Sequence, residues 1–509
     1  MKRDKTVNVI GAVTLVTLFA KLLGIVREAL QARAFGTLVQ ADLYTAANNS
    51  TIYLFTTVAY ALCIAAVPIL APRLRRNRRE GAEAAGNLVA IAVVVSVLAA
   101  AGWIAATYTP WVESLWEGSA QEAAVLGSYM RVMALTLPVI VLTYLLVALF
   151  QSLDHFVLQG SMSIPYNLVL ILLLLAGRLE VGGYVVAVAL AWLLQLAMTV
   201  PYMVKERCLP RLRLNLRADY VRTFFRTAAV TVLTTSIFLF CYLQDSGMTA
   251  QFSGGPVSAF YYADKLFTPL TTTLIYSIST VLFPQFSQEY ASKSQGEYRR
   301  YIWRVLRSTL VLILPISAVL AAFGTPIVQV LFQGGNFGPD STAATGSIFT
   351  IYALSMAGFC ALDLLSKAYY TMEKTLTPLL VNAGVLACNW GLNRLLGPRW
   401  GAAGLAAATA VSITGGGAVM AVLFLRGSGG VSLAPLVKSL AATLAAGGAL
   451  LLMPGMVLTG LEGKLLLVVK CVSMGIVAAA LYVVLMLLTR QEDFLELLNR
   501  YRKPRQKPQ

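Results

Sequence analysis

Residues 61–106 read ALCIAAVPILAPRLRRNRREGAEAAGNLVAIAVVVSVLAAAGWIAA, and this stretch decides the fold. Two apolar runs flank the short segment 72–80, which holds five arginines at 73, 75, 76, 78 and 79. Runs of about twenty apolar residues cross a hydrocarbon core of roughly 30 Å as helices. Arginines crowded into the short loop between two such runs mark its cytoplasmic side. The segment is therefore a transmembrane hairpin whose turn faces the cytoplasm.

The same grammar extends in both directions. Candidate spans lie at 7–35, 41–71, 82–108, 123–151, 156–177, 183–205, 220–244, 256–288, 300–323, 341–371, 376–396, 401–425, 432–454 and 464–489. Lys2, Arg3 and Lys5 precede the first. Segment 205–222 carries Lys205, Arg207, Arg211, Arg213, Arg217 and Arg222, and 289–307 carries Lys293, Arg299, Arg300, Arg304 and Arg307. The loop at 109–122 instead holds Glu113, Glu117 and Glu122 with no Lys or Arg, and the loop at 245–255 has only Asp245. Basic and non-basic loops alternate strictly if there are fourteen spans, which puts both termini in the cytoplasm. The expected fold is an all-α polytopic membrane protein of about 14 transmembrane helices.

Composition excludes the rival classes. Charged residues are 12% of 509 and hydrophobic ones 58%, whereas soluble domains are about a quarter charged. The net charge of +17 sits in loops, so it is topogenic and gives no reason to expect nucleic acid. The six cysteines are scattered, no C-x-x-C occurs and His155 is the one histidine. No metal or disulfide site is expected. The first run lacks an A-x-A-like cleavage site and continues through Lys21, Arg27 and Glu28, so it reads as a span and not a cleaved leader.

An internal echo organises the spans. Tyr44-Thr45-Ala46-Ala47-Asn48-Asn49 matches Phe260-Tyr261-Tyr262-Ala263-Asp264-Lys265 at an offset of 216, and Val67-Pro68 matches Phe283-Pro284 at the same offset. Gly183, Ala187 and Ala189 then fall against Gly404, Ala408 and Ala410 at 221. Six spans thus repeat as six with unchanged topology, which implies an axis along the membrane normal and a cavity between lobes. The expected division is an N-lobe at 1–217, a C-lobe at 218–427, two added helices at 428–489 offering a lipid-tail groove, and a basic cytoplasmic tail at 490–509.

Ionisable residues inside spans cost about 2.5–3.5 kcal/mol each on insertion scales, so they face a cavity or a partner. The first span holds Lys21, Arg27, Glu28 and Arg33, the second opens with Asp42, the eighth holds Asp264 and Lys265, and the tenth holds Asp363 and Lys367. Buried ion pairs or snorkelling ends are the plain alternative for each. Cations without a histidine, metal pattern or nucleophile motif point to an anionic passenger, since Arg and Lys engage phosphate oxygens. No Walker A sequence is present, which leaves an ion gradient, the membrane potential or downhill flow as the energy source. The chain reads as a transporter and not an enzyme, without a cofactor but with Na⁺ or H⁺ as candidate coupling ions.

Several stretches resemble one family. Ala20 to Glu28 (AKLLGIVRE) with Ala34-Phe35-Gly36 and Ala41-Asp42, then Val257 to Pro284, Ile327 to Phe337 (IVQVLFQGGNF), and Ala368-Tyr369-Tyr370 with Thr375 to Pro378 are similar to motifs of the MVF family of lipid II flippases, within the MOP exporter superfamily. The resemblance implies a bacterial cell-membrane protein that carries an undecaprenyl-diphosphate-linked disaccharide-pentapeptide outward by alternating access. It places cavity cations at Lys21, Arg27 and Lys265 and acidic positions at Glu28, Asp42 and Asp264; with Lys367 of the charged pair in the tenth span, these are the expected substrate-binding residues. Lys stands at 21 and 265 where the family has Arg, and neutral Asn49 and Thr268 fall near two of its charged positions. Asp363 replaces its lysine. Alternatives are a flippase for another undecaprenyl-linked saccharide (capsule, teichuronic or O-antigen unit) or a non-transporting scaffold for cell-wall synthesis enzymes. Expected partners are the lipid-linked saccharide, the bilayer and cell-wall enzymes.

Overall fold

The computed structural model describes residues 2–496 except 117, 154, 178, 206–212, 236, 250–255, 272–273, 276, 373, 427–431 and 453–462. Its helices pack as two compact units, Met1–Tyr262 with Gly334–Ser341, and Ala263–Gln333 with Thr342–Gln509. The first unit holds α1 (Lys2–Phe35), α2 (Val39–Asn48), a π-turn (Asn49–Tyr53), α3 (Leu54–Arg76), α4 (Arg78–Ala106), α5 (Trp111–Ser114), α6 (Ala120–Ala134), α7 (Leu137–Ser152), α8 (Phe156–Ser161), α9 (Ser163–Leu175), α10 (Val181–Ala197), α11 (Val200–Lys205), α12 (Asp219–Thr235) and α13 (Ile237–Thr249). α14 (Pro256–Thr271) starts in the first unit and ends in the second. The second continues with α15 (Ser277–Ser292), α16 (Gln295–Ala322), α17 (Gly324–Leu331), α18 (Pro339–Leu354), α19 (Met356–Thr371), α20 (Leu376–Leu425), α21 (Ala434–Leu452) and α22 (Lys464–Leu488).

Helices occupy each of the fourteen expected spans, and no strand occurs among the described residues. Seven helices or joined helices among those residues are long and apolar enough to cross a membrane unaided, and α18–α19 is an eighth with a 44° bend. The 50 residues of α20 would reach about 75 Å at 1.5 Å per residue, more than two bilayer cores. Pro398 and Gly401, the latter at φ +56 and ψ −137, break the run between the two spans expected there.

Polarity is inverted relative to a soluble protein. Leu98 on α4, Leu190 on α10 and Leu465, Ile476 and Leu488 on α22 are exposed, while Arg27, Glu28, Asp42, Asn49, Asp264, Asn389 and Asn393 are buried. An apolar exterior over a polar interior is stable only where the outer solvent is hydrocarbon.

Helix starts outside the spans are capped by sequence. The Asn77 side chain accepts from the Arg79 amide at 2.9 Å and opens α4, and Ser119/Glu122 and Ser294/Glu297 form capping boxes on α6 and α16. The Trp116 indole also donates to Glu122 at 3.0 Å. That bond, aided by the Ser119 amide, holds the Glu122 carboxyl below the ordinary range.

In unit 1, α3 packs against α7, α12 and α4, and α1 against α9 and α8. α12 packs on α3, and 219–262 lies in the first unit. In unit 2, α19 packs against α20 and α16, and α16 against α21.

Two expected loops are shorter than the sequence suggested. Asp245 and Ser246 lie inside α13 and are buried, because Ser246 Oγ accepts from Asn49 Nδ2 at 2.9 Å and continues the helix inside the unit. The remainder of that loop, 250–255, lies outside the described residues, as do Glu117, Arg207 and Arg211 of the topogenic loops. The basic tail also begins later than 490. Gln491 Nε2 donates to Pro435 O at 3.3 Å and Ser439 Oγ at 3.2 Å, and Arg307 Nη2 donates to Asp493 Oδ1 at 3.1 Å. Burial pushes the Asp493 carboxyl up from the ordinary aspartate range, against the pull of Arg307. Residues 497–509 lie outside the described residues.

A cysteine at exposed Glu113 should react with an impermeant thiol reagent in intact cells, while one at exposed Arg76 should react only after permeabilisation. A cysteine at Ser246 should stay unlabelled from either side. Labelling at 76 in intact cells would overturn the fourteen-span topology.

Candidate functional site

The first constellation is built on α1. Arg27 and Glu28 are 9% and 4% exposed, and their side chains are paired through Arg27 Nη2 and Glu28 Oε1. Adjacent residues on a helix do not face each other, so the pair depends on its walls. Arg27 Nη1 donates to Tyr166 Oη on α9 at 3.4 Å, with the guanidinium carbon 5.2 Å from that ring's centre. Tyr261 Oη on α14 donates to Glu28 Oε1 at 3.2 Å. One turn on, Tyr184 Oη on α10 donates to Gln31 Oε1 at 2.9 Å, and the Tyr184 ring packs edge-on against Tyr44 at 5.4 Å. Arg27 Nε and Glu28 Oε2 remain buried with no hydrogen-bond partner among the described residues. The result is a buried ion pair in a tyrosine box, with one donor and one acceptor unused.

Lys21, six residues earlier on α1, is exposed, and so is Arg33. Asp42 is buried and spends its Oδ1 on α14, accepting from the Ser258 amide at 2.9 Å and from Ser258 Oγ. A carboxylate on the first-turn amides of a helix satisfies otherwise orphaned donors and complements the dipole. Asn49 opens the π-turn and is buried.

The second unit carries its own charged groups. Asp264 is fully buried, accepts from Thr268 Oγ1 at 2.7 Å and lies 3.9 Å from Lys265 Nζ. The Lys265 side chain keeps 24% exposure. Asp363 and Lys367 form the expected i,i+4 ion pair at 3.1 Å, joined by Ser279 of α15, which donates to Asp363 and accepts from Lys367. On α20, Asn389 Nδ2 donates to Thr409 Oγ1 at 2.7 Å, and Asn393 Nδ2 lies 3.4 Å from Asn389 Oδ1.

The structure thus gathers Arg27 and Glu28 in one box, and pairs Asp264 with Lys265 and Asp363 with Lys367. Asp42 sits in a separate helix-capping contact. Sequence reasoning missed Tyr166, Tyr184, Gln31, Ser258 and Ser279, since single aromatic, hydroxyl or amide residues carry no motif of their own. Asn382, Asn389 and Asn393 did carry a signal, because spacings of seven and four place them along one helix face. Among the described residues no group of His, Cys, Asp and Glu could hold a metal ion.

Comparison with known proteins adds an independent finding. The family model described as "Lipid II flippase MurJ" matches residues 31–485. The lipid II flippase MurJ of Burkholderia cenocepacia is 26% identical over 409 residues, covering 76% of this chain and 78% of its own. A solved structure, "Lipid II flippase MurJ, inward closed conformation", superposes with a TM-score of 0.75 at 18% identity, covering 94% of this chain and 98% of that one. An inward-facing multidrug resistance MATE family transporter of the MOP superfamily superposes at 0.67 with 11% identity, covering 87% and 99%. The two solved structures share the fold with this chain.

Removing one member of a buried pair strands the other, at about 3 kcal/mol or more. A lone carboxyl can take up a proton, but a guanidinium cannot shed its own. Glu28→Gln should therefore lower the thermal unfolding midpoint of the detergent-purified protein more than Arg27→Gln does. Arg27→Met combined with Glu28→Leu should cost less than Glu28→Gln alone. Equal midpoints for both single variants would show that the pair is not buried.

Proposed function

The chain belongs to the lipid II flippase MurJ family, and from that membership we propose that it moves the peptidoglycan precursor lipid II from the inner to the outer leaflet of the bacterial cell membrane. The family match over 31–485 carries this reading, and the buried charges of an all-α membrane fold give it a mechanism. The headgroup cannot enter hydrocarbon with its diphosphate unsatisfied. Protein cations in a water-lined cavity replace its hydration, and alternating exposure to the two sides takes it across. No bond is made or broken, so the reading requires no catalytic group.

Within this proposal, Arg27 is the main diphosphate ligand of unit 1. It is buried and held by Glu28 and Tyr166, and a guanidinium offers phosphate two parallel donors. Its present partner, Glu28, is an anion, so an arriving phosphate oxygen competes with a group of the same charge. Exposed Lys21 and partly exposed Lys265 and Lys367 are further candidate ligands, each a point charge that adapts more readily than a fork. Glu28, Asp42 and Asp264 fix helices and cations in place. The polyprenyl tail has a candidate berth in unit 2, where a cavity of about 390 Å³ is lined by Val311, Ile316, Val319, Ala446, Ala478 and Tyr482. Both termini would be cytoplasmic, from the loop charges.

The passenger carries roughly two negative charges, and each one moved down 100 mV yields about 2.3 kcal/mol. Protein cations that travel with the headgroup return on reset. Over a full cycle only the passenger and any co-transported ion, with Na⁺ and H⁺ the candidates, contribute to the electrical work.

Arg27→Ala should abolish lipid II export in a depletion strain while the protein stays in the membrane. Arg27→Lys should be strongly impaired, while Lys21→Arg and Lys265→Arg should be tolerated. Full complementation by Arg27→Ala would sink the diphosphate assignment. Separately, headgroup export in vesicles should slow when the potential is clamped near zero at constant pH gradient. Unchanged export there would rule out a potential-driven cycle.

A further inference from the structure

The motif residues Ala34-Phe35-Gly36 and Gly334-Gly335-Asn336-Phe337 take no part in the site above, yet they lock onto each other. Gly334 and Phe337 exchange backbone hydrogen bonds at 3.0 and 3.1 Å and make a tight hairpin. Its tip grips the last turn of α1: the Asn336 amide donates to Arg33 O at 2.8 Å, and Asn336 Nδ2 donates to Ala34 O at 2.6 Å. These carbonyls are among the acceptors that a helix C-terminus leaves without an internal partner.

The fit is close enough to exclude a side chain on either strand of the contact. Gly36 has φ +61, and a Cβ there would lie 2.1 Å from Asn336 O. Gly335 has φ +57, and a Cβ there would lie 2.3 Å from Arg33 O. Thr37 Oγ1 and Ser341 Oγ share a hydrogen bond at 2.7 Å, and buried Phe337 packs edge-on against Tyr262 at 5.5 Å. Gly334–Ser341 accordingly packs as part of the first unit, although α17 and the rest of α18, its neighbours in the chain, belong to the second.

We propose that this hairpin is a strap that stays on the end of α1 throughout the transport cycle, and that Asn336 is a positioning residue for Arg27. Ala34 stands seven residues beyond Arg27, almost two full turns and about 10 Å along the same helix. Tying its carbonyl fixes both the axial height and the rotation of α1, and with them the direction in which the guanidinium is presented. The positioning role rests on Arg27 being a ligand of the passenger, whereas the permanence of the strap does not.

Two measurements on the full-length protein test this. Binding of purified lipid II to the detergent-solubilised chain should weaken about five-fold in Asn336→Ala, the worth of one hydrogen bond. In an Arg27→Ala background the same substitution should add no further loss, because its effect passes through Arg27. An undiminished affinity, or an equal loss in both backgrounds, would overturn the positioning role. An Arg27→Ala protein that binds as wild type would instead sink the passenger assignment itself, and the positioning role with it. Should Asn336→Ala fail to fold, the second measurement still decides on the strap. Thr37→Cys with Ser341→Cys, oxidised to a disulfide, should flip lipid II in proteoliposomes within two-fold of its reduced form. Flipping lost on oxidation and regained on reduction would show that the strap opens in each cycle, against the proposal.

Discussion

The rest of unit 1 depends on one constraint, a guanidinium and a carboxylate at adjacent positions that must satisfy each other away from water. Taking either charge into a low-dielectric interior costs several kcal/mol, and attraction offsets this only when geometry and extra hydrogen bonds are both good. Consecutive helical residues diverge by about 100°, so α1 alone cannot hold Arg27 against Glu28. Tyr166 supports the arginine from α9, and Tyr261 supports the glutamate from α14. Tyrosine suits this wall because its ring packs as an apolar body while its hydroxyl supplies one directed hydrogen bond. The placement of α9 and the start of α14 around α1 meets that requirement, and Tyr184 of α10 adds a bond to Gln31 one turn on.

The same logic governs the other buried polar groups. Asp42 would be a stranded carboxylate on α2 if the first turn of α14 did not present the Ser258 amide and hydroxyl to it. Asn389 finds Thr409 across the break in α20. Gln491 and Asp493 close over α16 and the start of α21 through Arg307, Pro435 and Ser439. Where lipid cannot hydrogen-bond, each such group acts as a positional staple between helices. The apolar residues decide that these helices cross the membrane, and the few polar ones decide how they meet.

Legibility in the sequence followed the same split. The arginine loop at 72–80 and its neighbours were enough to place all fourteen helical segments, because span length and loop charge are local properties. The i,i+4 spacing of Asp363 and Lys367 likewise announced a pair that forms. What the sequence concealed depends on contacts between distant segments. Asp245 looked like the start of an outer loop, but Asn49, 197 residues from Ser246, draws that stretch into a helix. Tyr166 and Tyr184 sit among leucines and valines, and nothing local distinguishes them from lipid-facing aromatics. Gln491 and Asp493 looked like the head of a solvated tail because their partners, Pro435 O and Ser439 Oγ for Gln491 and Arg307 for Asp493, lie more than fifty residues away.

A transporter's binding group must release its ligand, chemically unchanged, on every cycle. An open, unpaired arginine would hold a diphosphate through strong charge-assisted bonds and let go slowly. Arg27 starts from a different state, already bonded to Glu28 and backed by Tyr166. Under the proposed function, passenger binding exchanges one anionic partner for another, so the number of charge-assisted bonds to the guanidinium changes little. The net affinity is then a small difference between two large terms, and the same exchange in reverse drives release. The unused Arg27 Nε and Glu28 Oε2 fit that account: the arginine has a donor left over for an incoming oxygen, and the glutamate has an acceptor left over for whatever takes the arginine's place. A pair perfected for stability would have used both.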